Sequence, residues 1–487
     1  MHTNSIFRKL LSVQLGVVLS CLSACSADLA SESQNESQHE SPPNILFIMA
    51  DDLGYADLSS FGRRDYDTPN IDQLAEQGMR LTSAYSNSPV CSATRTALMT
   101  GNYQYRLPIG LEEPLSFAPV GLEPDEPTLP SNLKELGYQT ALIGKWHLGH
   151  TSDYSPLLSG YDYFWGVRQG GVDYFTHEVG GVNDLWEGDT NIEESGYLTE
   201  RFGNQAIKQL ESFSKNGKPF YLSLHFTAPH WPWEGPNDLD SAIELTEAAR
   251  ESVMKILHFD GGNMEVYAEM VTSLDQQVGR VLNSLKELGL DENTIVVFTS
   301  DNGGERFSDN WPFTGLKAEV LEGGIRVPTI VRWPGKTTPG STSAEPIITM
   351  DWVPTFLNAA SGEAIPENEF DGRDIATVFD GATLPERALF WRYNLFDQKA
   401  LRRGQWKYLE ISGKEFLFDV IADPMERGNL KGKYPDVFQS MKAEYSDWNQ
   451  GMLPYTGTTF SIGLNGEQIP TRYGVEPAES IKGIPPQ

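Results

Sequence analysis

Four short apolar runs in this chain each end in residues able to do chemistry. Asn44–Ala50 runs into Asp51 and Asp52, and Thr294–Ser300 runs into Asp301 and Asn302. Residues 140–144 run into Lys145, Trp146 and His147, and residues 220–224 lead through His225 to Pro229 and His230. The Asp-Asp and Asp-Asn pairs offer only oxygen. Oxygen sets suit hard cations such as Ca²⁺ or Mg²⁺, whereas zinc favours nitrogen and sulfur. A lone Asp-Asp pair is usually a solvated turn or a cap. Two such pairs, each straight after an apolar strand, point to a shared metal. The histidines at 147, 225 and 230 alone would allow zinc, but the acidic pairs weigh against it. His225 reads as a structural neighbour.

The cysteines add a nucleophile. There are three, and Cys21 and Cys25 lie in an N-terminal targeting segment, so Cys91 stands alone in the body of the chain. An exported protein with one internal thiol has no internal disulfide, and that thiol needs a reason. A small buried hydrophobe would sit among apolar residues, yet the neighbours of Cys91 are Ser92, Thr94 and Arg95. If Cys91 opens a helix, Arg95 lies one turn on, on the same face. A guanidinium there could hold an anion beside residue 91. On its own this pattern suggests a thiolate activated by a cation and a helix N-terminus.

These residues need a scaffold. Short apolar strands alternate with helical patterns, which implies an α/β fold: a large mixed, mostly parallel sheet sandwiched by helices. Sites in open sheets form just beyond the carboxyl ends of the strands, so the four segments would converge on one crevice. Residues 70–77 begin a helix after Thr68-Pro69, and residues 264–288 read as a long amphipathic helix ending at Gly289. After about residue 380 the pattern changes to short strands at 388–391, 399–402, 406–411 and 415–418, then a helix at 435–448. The expected organisation is a catalytic domain over 44–380 and a smaller C-terminal α+β subdomain over 381–487.

The N-terminus reads as an export signal. Arg8 and Lys9 precede an apolar run over 10–22 that is too short to span a bilayer. Leu22-Ser23-Ala24-Cys25 resembles a bacterial lipoprotein processing site, so residues 1–25 either end in a lipidated Cys25 or are cleaved to release the chain. Residues 26–43, rich in Ser, Glu and Gln, read as a disordered linker. The expected location is periplasmic, or anchored at the outer membrane of a Gram-negative bacterium. The net charge of −30 excludes nucleic acid as a partner, because the surface repels phosphates.

Taken together, the motifs resemble type I sulfatases of the alkaline phosphatase superfamily. Cys91-Ser92-Ala93-Thr94-Arg95 matches the signature read by the formylglycine-generating enzyme, and Gly144-Lys145-Trp146-His147-Leu148-Gly149 matches the second family signature. Asp51-Asp52-Leu53-Gly54 and Asp301-Asn302-Gly303 match the metal segments, and Lys317 matches a late lysine. Trp406-Lys407-Tyr408 and Asp423-Pro424-x-Glu426 also look family-like, so the resemblance spans about residues 44–430. It implies an alkaline-phosphatase-like fold and one Ca²⁺ held by Asp51, Asp52, Asp301, Asn302 and modified Cys91. It implies that Cys91 is oxidised to an aldehyde by the maturation enzyme and hydrated. One hydroxyl attacks sulfur, and loss of the second proton re-forms the carbonyl and ejects sulfate. Arg95 and Lys145 would stabilise the hydrate and the transition state, and His147 would take the proton. His230 and Lys317 would bind sulfate oxygens and protonate the leaving alkoxide.

The substrate is less legible. Trp231, Trp233, Trp311, Tyr174 and Phe175 are aromatics near catalytic motifs and could stack on sugar rings. Arg168, His177 and Arg306 could recognise a carboxylate or a second sulfate. The expected partner is a sulfated oligosaccharide or polysaccharide, for instance of algal origin. Two alternatives stay open: a formylglycine-dependent phosphodiesterase or phosphonate hydrolase, and an inactive protein that binds sulfated glycans.

Overall fold

The strand Asn44–Ala50 is buried along its whole length because it is covered on both faces. Ile45, Phe47 and Met49 point into one apolar layer with Leu98, Leu133, Trp352 and Phe356. Leu46, Ile48 and Ala50 point into the other, with Leu74, Phe202, Leu210 and Val278. Alternation along a strand puts successive side chains on opposite faces, and a continuous apolar run is what a sheet with helices on both sides demands. The computed structural model describes residues 41–456 apart from 112, 115–119, 259–260 and 367–368. The expected signal, Cys25, the linker up to residue 40 and the tail from residue 457 lie outside the described residues.

The central sheet has ten strands: β1 Asn44–Ala50, β2 Met79–Leu81, β3 Gln139–Lys145, β4 Tyr163–Val167, β5 Leu185–Glu187, β6 Thr190–Asn191, β7 Phe220–His225, β8 Thr294–Ser300, β9 Thr329–Arg332 and β10 Ser341–Ser343. Their order is β10-β2-β9-β8-β1-β7-β3-β4-β5-β6. The middle five, β8, β1, β7, β3 and β4, run parallel. At one edge β9 is antiparallel to β8; at the other β5 is antiparallel to β4. The four strands singled out in the sequence are therefore immediate neighbours, and their carboxyl ends lie side by side.

Helices α1 Pro69–Gln77, α3 Leu198–Ser214 and α4 Met264–Glu287 cover one face. Helices α2 Cys91–Thr100 and α5 Trp352–Ser361 belong to the other. The long helix α4 is capped as a helix start should be: the Asn263 side chain accepts from the Glu265 and Val266 amides. Four antiparallel strands follow near the C-terminus: β11 Ala388–Tyr393, β12 Gln398–Arg403, β13 Trp406–Ile411 and β14 Lys414–Asp419. Helix α6 Pro435–Asn449 packs on them. This small sheet shares a core with α2 and the segment 318–325, through Ala97, Ala318, Val320, Leu321 and Trp391. Among the described residues no helix is long and apolar enough to cross a membrane.

Candidate active site

Cys91 is the first residue of α2, as the sequence implied, and the whole of this helix is buried. Its Sγ donates to Asp51 Oδ1 at 3.2 Å and to Asp52 Oδ1 at 3.7 Å. Burial, then Asp301 and Asp51, push the thiol well above its ordinary value. The bare side chain is a hydrogen-bond donor here, which departs from the thiolate suggested by the local sequence.

Asp51 and Asp52 leave β1 and Asp301 and Asn302 leave β8, so the two pairs meet across adjacent strand ends. The Asp52 amide donates to Asp301 Oδ1 at 3.2 Å, and Asn302 Nδ2 donates to Asp52 Oδ1 at 2.7 Å. All four residues are buried. Burial and the neighbouring Asp301 push Asp51 up to about 7, opposed by Lys145. Burial also raises Asp301, but Arg95, Lys145 and Lys317 outweigh it and hold this carboxyl below its usual range. The Oδ1 of Asn302 is buried with no hydrogen-bond partner. Buried polar atoms are nearly always paired, so an orphan marks a place where something else binds. Three crowded carboxylates and one waiting amide oxygen fit a hard divalent cation. Single atoms of Asp51, Asp52, Cys91 and His230 lie within 4.8 Å of one another.

The cations come from other elements. Lys145 Nζ, at the end of β3, reaches Asp51 Oδ2 at 2.5 Å, with both side chains fully buried. Gly144, just before this lysine, lets β3 lie close against β7. Its φ is +119°, and a Cβ there would lie 1.8 Å from the His225 carbonyl oxygen. Arg95 does lie on the face of Cys91, but its guanidinium is turned to Asp301. Nε and Nη2 donate to Asp301 Oδ2 at 3.1 and 2.9 Å, and Nη1 donates to the Lys145 carbonyl at 3.0 Å. His225 Nδ1 is 3.3 Å from the same Nη1. Arg95 therefore orients Asp301 and Lys145. Lys317 Nζ comes from the loop after β8 and donates to Asp52 Oδ2 at 2.6 Å; His230 Nε2 is 3.6 Å from the same oxygen.

His147 sits at φ +55° and neither ring nitrogen has a hydrogen-bond partner. The backbone of Arg168 fixes it by accepting from its amide at 3.2 Å. Burial and then Lys145 hold His147 well below its ordinary value, and burial and then Lys317 do the same to His230. A ring held below its usual range favours the unprotonated form, which suits His147 as a proton acceptor.

The residues expected to touch substrate divide. Trp231 packs against His230, with ring centroids 4.2 Å apart, and lies at the site. Tyr174 is buried and donates to the His230 carbonyl at 2.9 Å, so it supports the histidine. The side chain of Arg168 is turned away: it is buried under Trp186 and paired to Asp189 at 2.6 Å. His177 is also buried, with Nε2 3.1 Å from the Gly196 carbonyl. Arg306 lies over Phe307 and donates to the Gly261 carbonyl at 3.2 Å. Trp311 is exposed and lines a groove with Phe416, Phe418 and Arg427. Glu305 went unnoticed in the sequence. It is buried, and burial pushes it up to about 7 against Lys317 and beside Trp231. The available signal was its place directly after Asp301-Asn302-Gly303-Gly304.

A family model for sulfatases matches residues 43–362, which contain every residue of this cluster. The chain belongs to the sulfatase family. A second model, described as N-sulphoglucosamine sulphohydrolase, C-terminal, matches residues 316–450. The sulfatase is 30% identical to Arylsulfatase J of Mus musculus, covering 85% of this chain and 77% of that protein. It is 33% identical to N-acetylgalactosamine-6-sulfatase of Canis lupus familiaris, covering 75% and 71%. Among solved structures it resembles Ps i-CgsB in complex with k-i-k-neocarrahexaose, at a TM-score of 0.77 and 28% identity over 88% of this chain and 96% of that one. This sulfatase is accordingly a sulfuric ester hydrolase, on the alkaline-phosphatase-like fold expected from its motifs.

Proposed function

We propose that this sulfatase hydrolyses sulfate esters of sulfated carbohydrates, with Cys91 converted to formylglycine and Ca²⁺ in the oxygen cage. One observation carries the reading: the single body cysteine opens a buried helix 3.2 Å from Asp51, inside a cage of three carboxylates and the orphaned Asn302 oxygen. A buried thiol among acids is a poor nucleophile as it stands, which favours a modified side chain. The hydrated aldehyde supplies a hydroxyl nucleophile and a second hydroxyl whose deprotonation releases sulfate. Asp51, Asp52, Asp301 and Asn302 would hold the cation, which would supply charge stabilisation.

The remaining roles belong to the chain itself. Lys145 and Lys317 approach this centre through Asp51 and Asp52, and so place positive charge where a sulfate gathers negative charge. Arg95 keeps Asp301 and Lys145 in register. His147, neutral and unpartnered, accepts the proton that triggers sulfate release. His230 and Lys317 flank the position of the leaving oxygen, which matters because a sugar alkoxide leaves poorly. Trp231 offers an aromatic wall for a sugar ring. A carbohydrate substrate is supported by the names of relatives: an N-acetylgalactosamine-6-sulfatase among curated proteins and a carrahexaose complex among structures. Maturation by a formylglycine-generating enzyme follows from the Cys91–Arg95 signature. Export, with Cys25 lipidated or the signal cleaved, follows from the N-terminal sequence alone.

The test is sulfate release. The chain is co-expressed with a formylglycine-generating enzyme, supplied with Ca²⁺ and offered a panel of sulfated oligosaccharides, with Cys91→Ala in parallel. Release from one class, absent in the variant, establishes the reading. Full conversion of residue 91 with no sulfate released, but turnover of a phosphodiester or phosphonate, would replace it.

A further inference from the structure

Two C-terminal sequence features, Trp406-Lys407-Tyr408 and Asp423-Pro424-x-Glu426, take no direct part in the cluster just described. Both converge on the loop that delivers Lys317. Lys407 Nζ is fully buried and pairs with Glu322 at 3.0 Å and Glu426 at 2.9 Å. Glu426 Oε2 accepts from the Glu322 amide at 2.7 Å, and Thr314 Oγ1 donates to the Met425 carbonyl at 2.8 Å. Nearer the lysine, Gln398 at the start of β12 is fully buried and bonds the loop twice. Its Oε1 accepts from the Val320 amide at 3.0 Å, and its Nε2 donates to the Ala318 carbonyl at 2.8 Å.

Ala318, the residue after Lys317, adopts φ +67°. In that region a Cβ crowds the neighbouring carbonyl oxygen, so residues other than glycine seldom enter it. Such backbone persists only where its surroundings fix it. The catalytic body grips the loop as well: the Lys317 amide donates to the Gly304 carbonyl at 3.1 Å and the Ala318 amide to the Pro89 carbonyl at 2.9 Å. The turn is therefore held from both sides, with Gln398 bonded to the strained residue itself.

We infer that Gln398 is a positioning residue for Lys317: the C-terminal sheet, through Gln398, holds the Ala318 turn that aims the lysine at the reacting centre. The inference rests on the reading of Lys317 as a contact to the leaving group. A lysine in that role matters for a sugar alkoxide and little for a nitrophenolate, which leaves unaided. Misplacement by about 1 Å can cost about a hundred-fold in rate.

The experiment uses the full chain, matured and Ca²⁺-loaded, as wild type, Lys317→Ala, Gln398→Ala and the double variant. Each is assayed on 4-nitrophenyl sulfate and on the sulfated sugar that the wild type turns over. Amide exchange is followed across residues 314–322. Lys317→Ala is expected to lose far more activity on the sugar than on the aryl ester. Gln398→Ala is expected to show the same selectivity, with kcat on the sugar down about ten- to a hundred-fold, faster exchange in the loop, and no added selective loss in the double variant. Equal losses on both substrates, or a full additional loss in the double variant, would overturn the role of Gln398. If Lys317→Ala shows no leaving-group dependence, the reading of Lys317 fails and the positioning role falls with it, whatever the exchange data show. Gln398→Met, of similar volume but unable to make either bond, takes the place of Gln398→Ala if that variant does not fold.

Discussion

Two clusters of buried charge share the segment 301–326, and they follow different rules. Around Lys407, each carboxylate faces cations or donors. Glu322 takes Lys407 at 3.0 Å, Arg326 at 3.1 Å and the Tyr85 hydroxyl at 2.6 Å, and Arg402 donates to that same hydroxyl. Around Cys91 the charges are as numerous, but polar atoms remain over: Asn302 Oδ1, both nitrogens of His147 and Nε2 of His225. A network whose charges are matched braces a fold. An open one, just as deeply buried, offers unpaired atoms that a ligand can complete. Burial of charge by itself does not distinguish a catalytic centre from a brace. The kind of atom left over does: the brace leaves one carboxylate oxygen, Glu426 Oε1, which lies 2.9 Å from Lys407 Nζ, whereas the catalytic cluster leaves an amide oxygen and three imidazole nitrogens.

The contrast breaks most sharply at residue 91. In the matured protein Cys91→Ala is expected to reduce sulfate release by at least about a thousand-fold, since removing the nucleophile leaves only binding and electrostatics. Its melting temperature should stay close to that of the wild type, because only one small side chain is lost. Lys407→Met is expected to do the reverse. Removing one partner from a buried ion network costs about 3–5 kcal/mol, read as a lower denaturation midpoint, while the protein that remains folded still binds Ca²⁺. A Lys407 variant of unchanged stability would show that this cluster is no brace.

A smaller effect separates the clusters by ligand. A cation that binds only the folded chain stabilises it by ~2.7 kcal/mol at a hundred times its dissociation constant. Thermal melts with Ca²⁺ and after chelation should differ by that order in the wild type and in Lys407→Met. The difference should shrink in Asn302→Leu, which removes the orphaned oxygen. An undiminished shift in that variant would place the cation elsewhere.

The legible part of the site is the part whose signals are local. Asp51-Asp52, Asp301-Asn302 and Lys145–His147 each follow a strand, and Cys91 starts a helix with Arg95 one turn on; all of this is written within a few residues. The C-terminal strands and α6 were legible for the same reason. Partners distant in the chain were not. Arg168 and His177 read as substrate contacts because their side chains could recognise a carboxylate or a second sulfate. The pairing of β4 with β5 instead brings Trp186 over Arg168. Arg95 looked free to hold an anion because nothing local reveals that Asp301, from a strand two hundred residues later, takes its guanidinium. Lys407 and Glu426 were visible as motifs, but their shared partner Glu322 lies far back in the chain.

The brace also carries a pH signature that the catalytic cluster does not share in detail. Burial pushes Glu426 up to about 7 from an ordinary 4.5, against the pull of Lys407 and with Glu322 adding to the rise. Burial raises Glu322 too, but Lys407, Arg326 and Arg402 outweigh it and bring it down to about 2. The signs follow from proton counting. Between about pH 4.5 and 7 the folded chain keeps the Glu426 proton that the unfolded chain has lost, so stability falls as pH rises. Between about pH 2 and 4.5 the unfolded chain holds the Glu322 proton that the folded chain has lost, so stability falls as pH drops. Another buried carboxyl, Glu305, is also raised to about 7 and adds to the upper slope. The difference between wild type and Glu426→Gln isolates the brace. One proton gives up to ~1.4 kcal/mol per pH unit, so denaturation midpoints measured from pH 5 to 7 should decline less steeply in the variant. Parallel slopes would mean that Glu426 is ionised throughout, its charge balanced by Lys407.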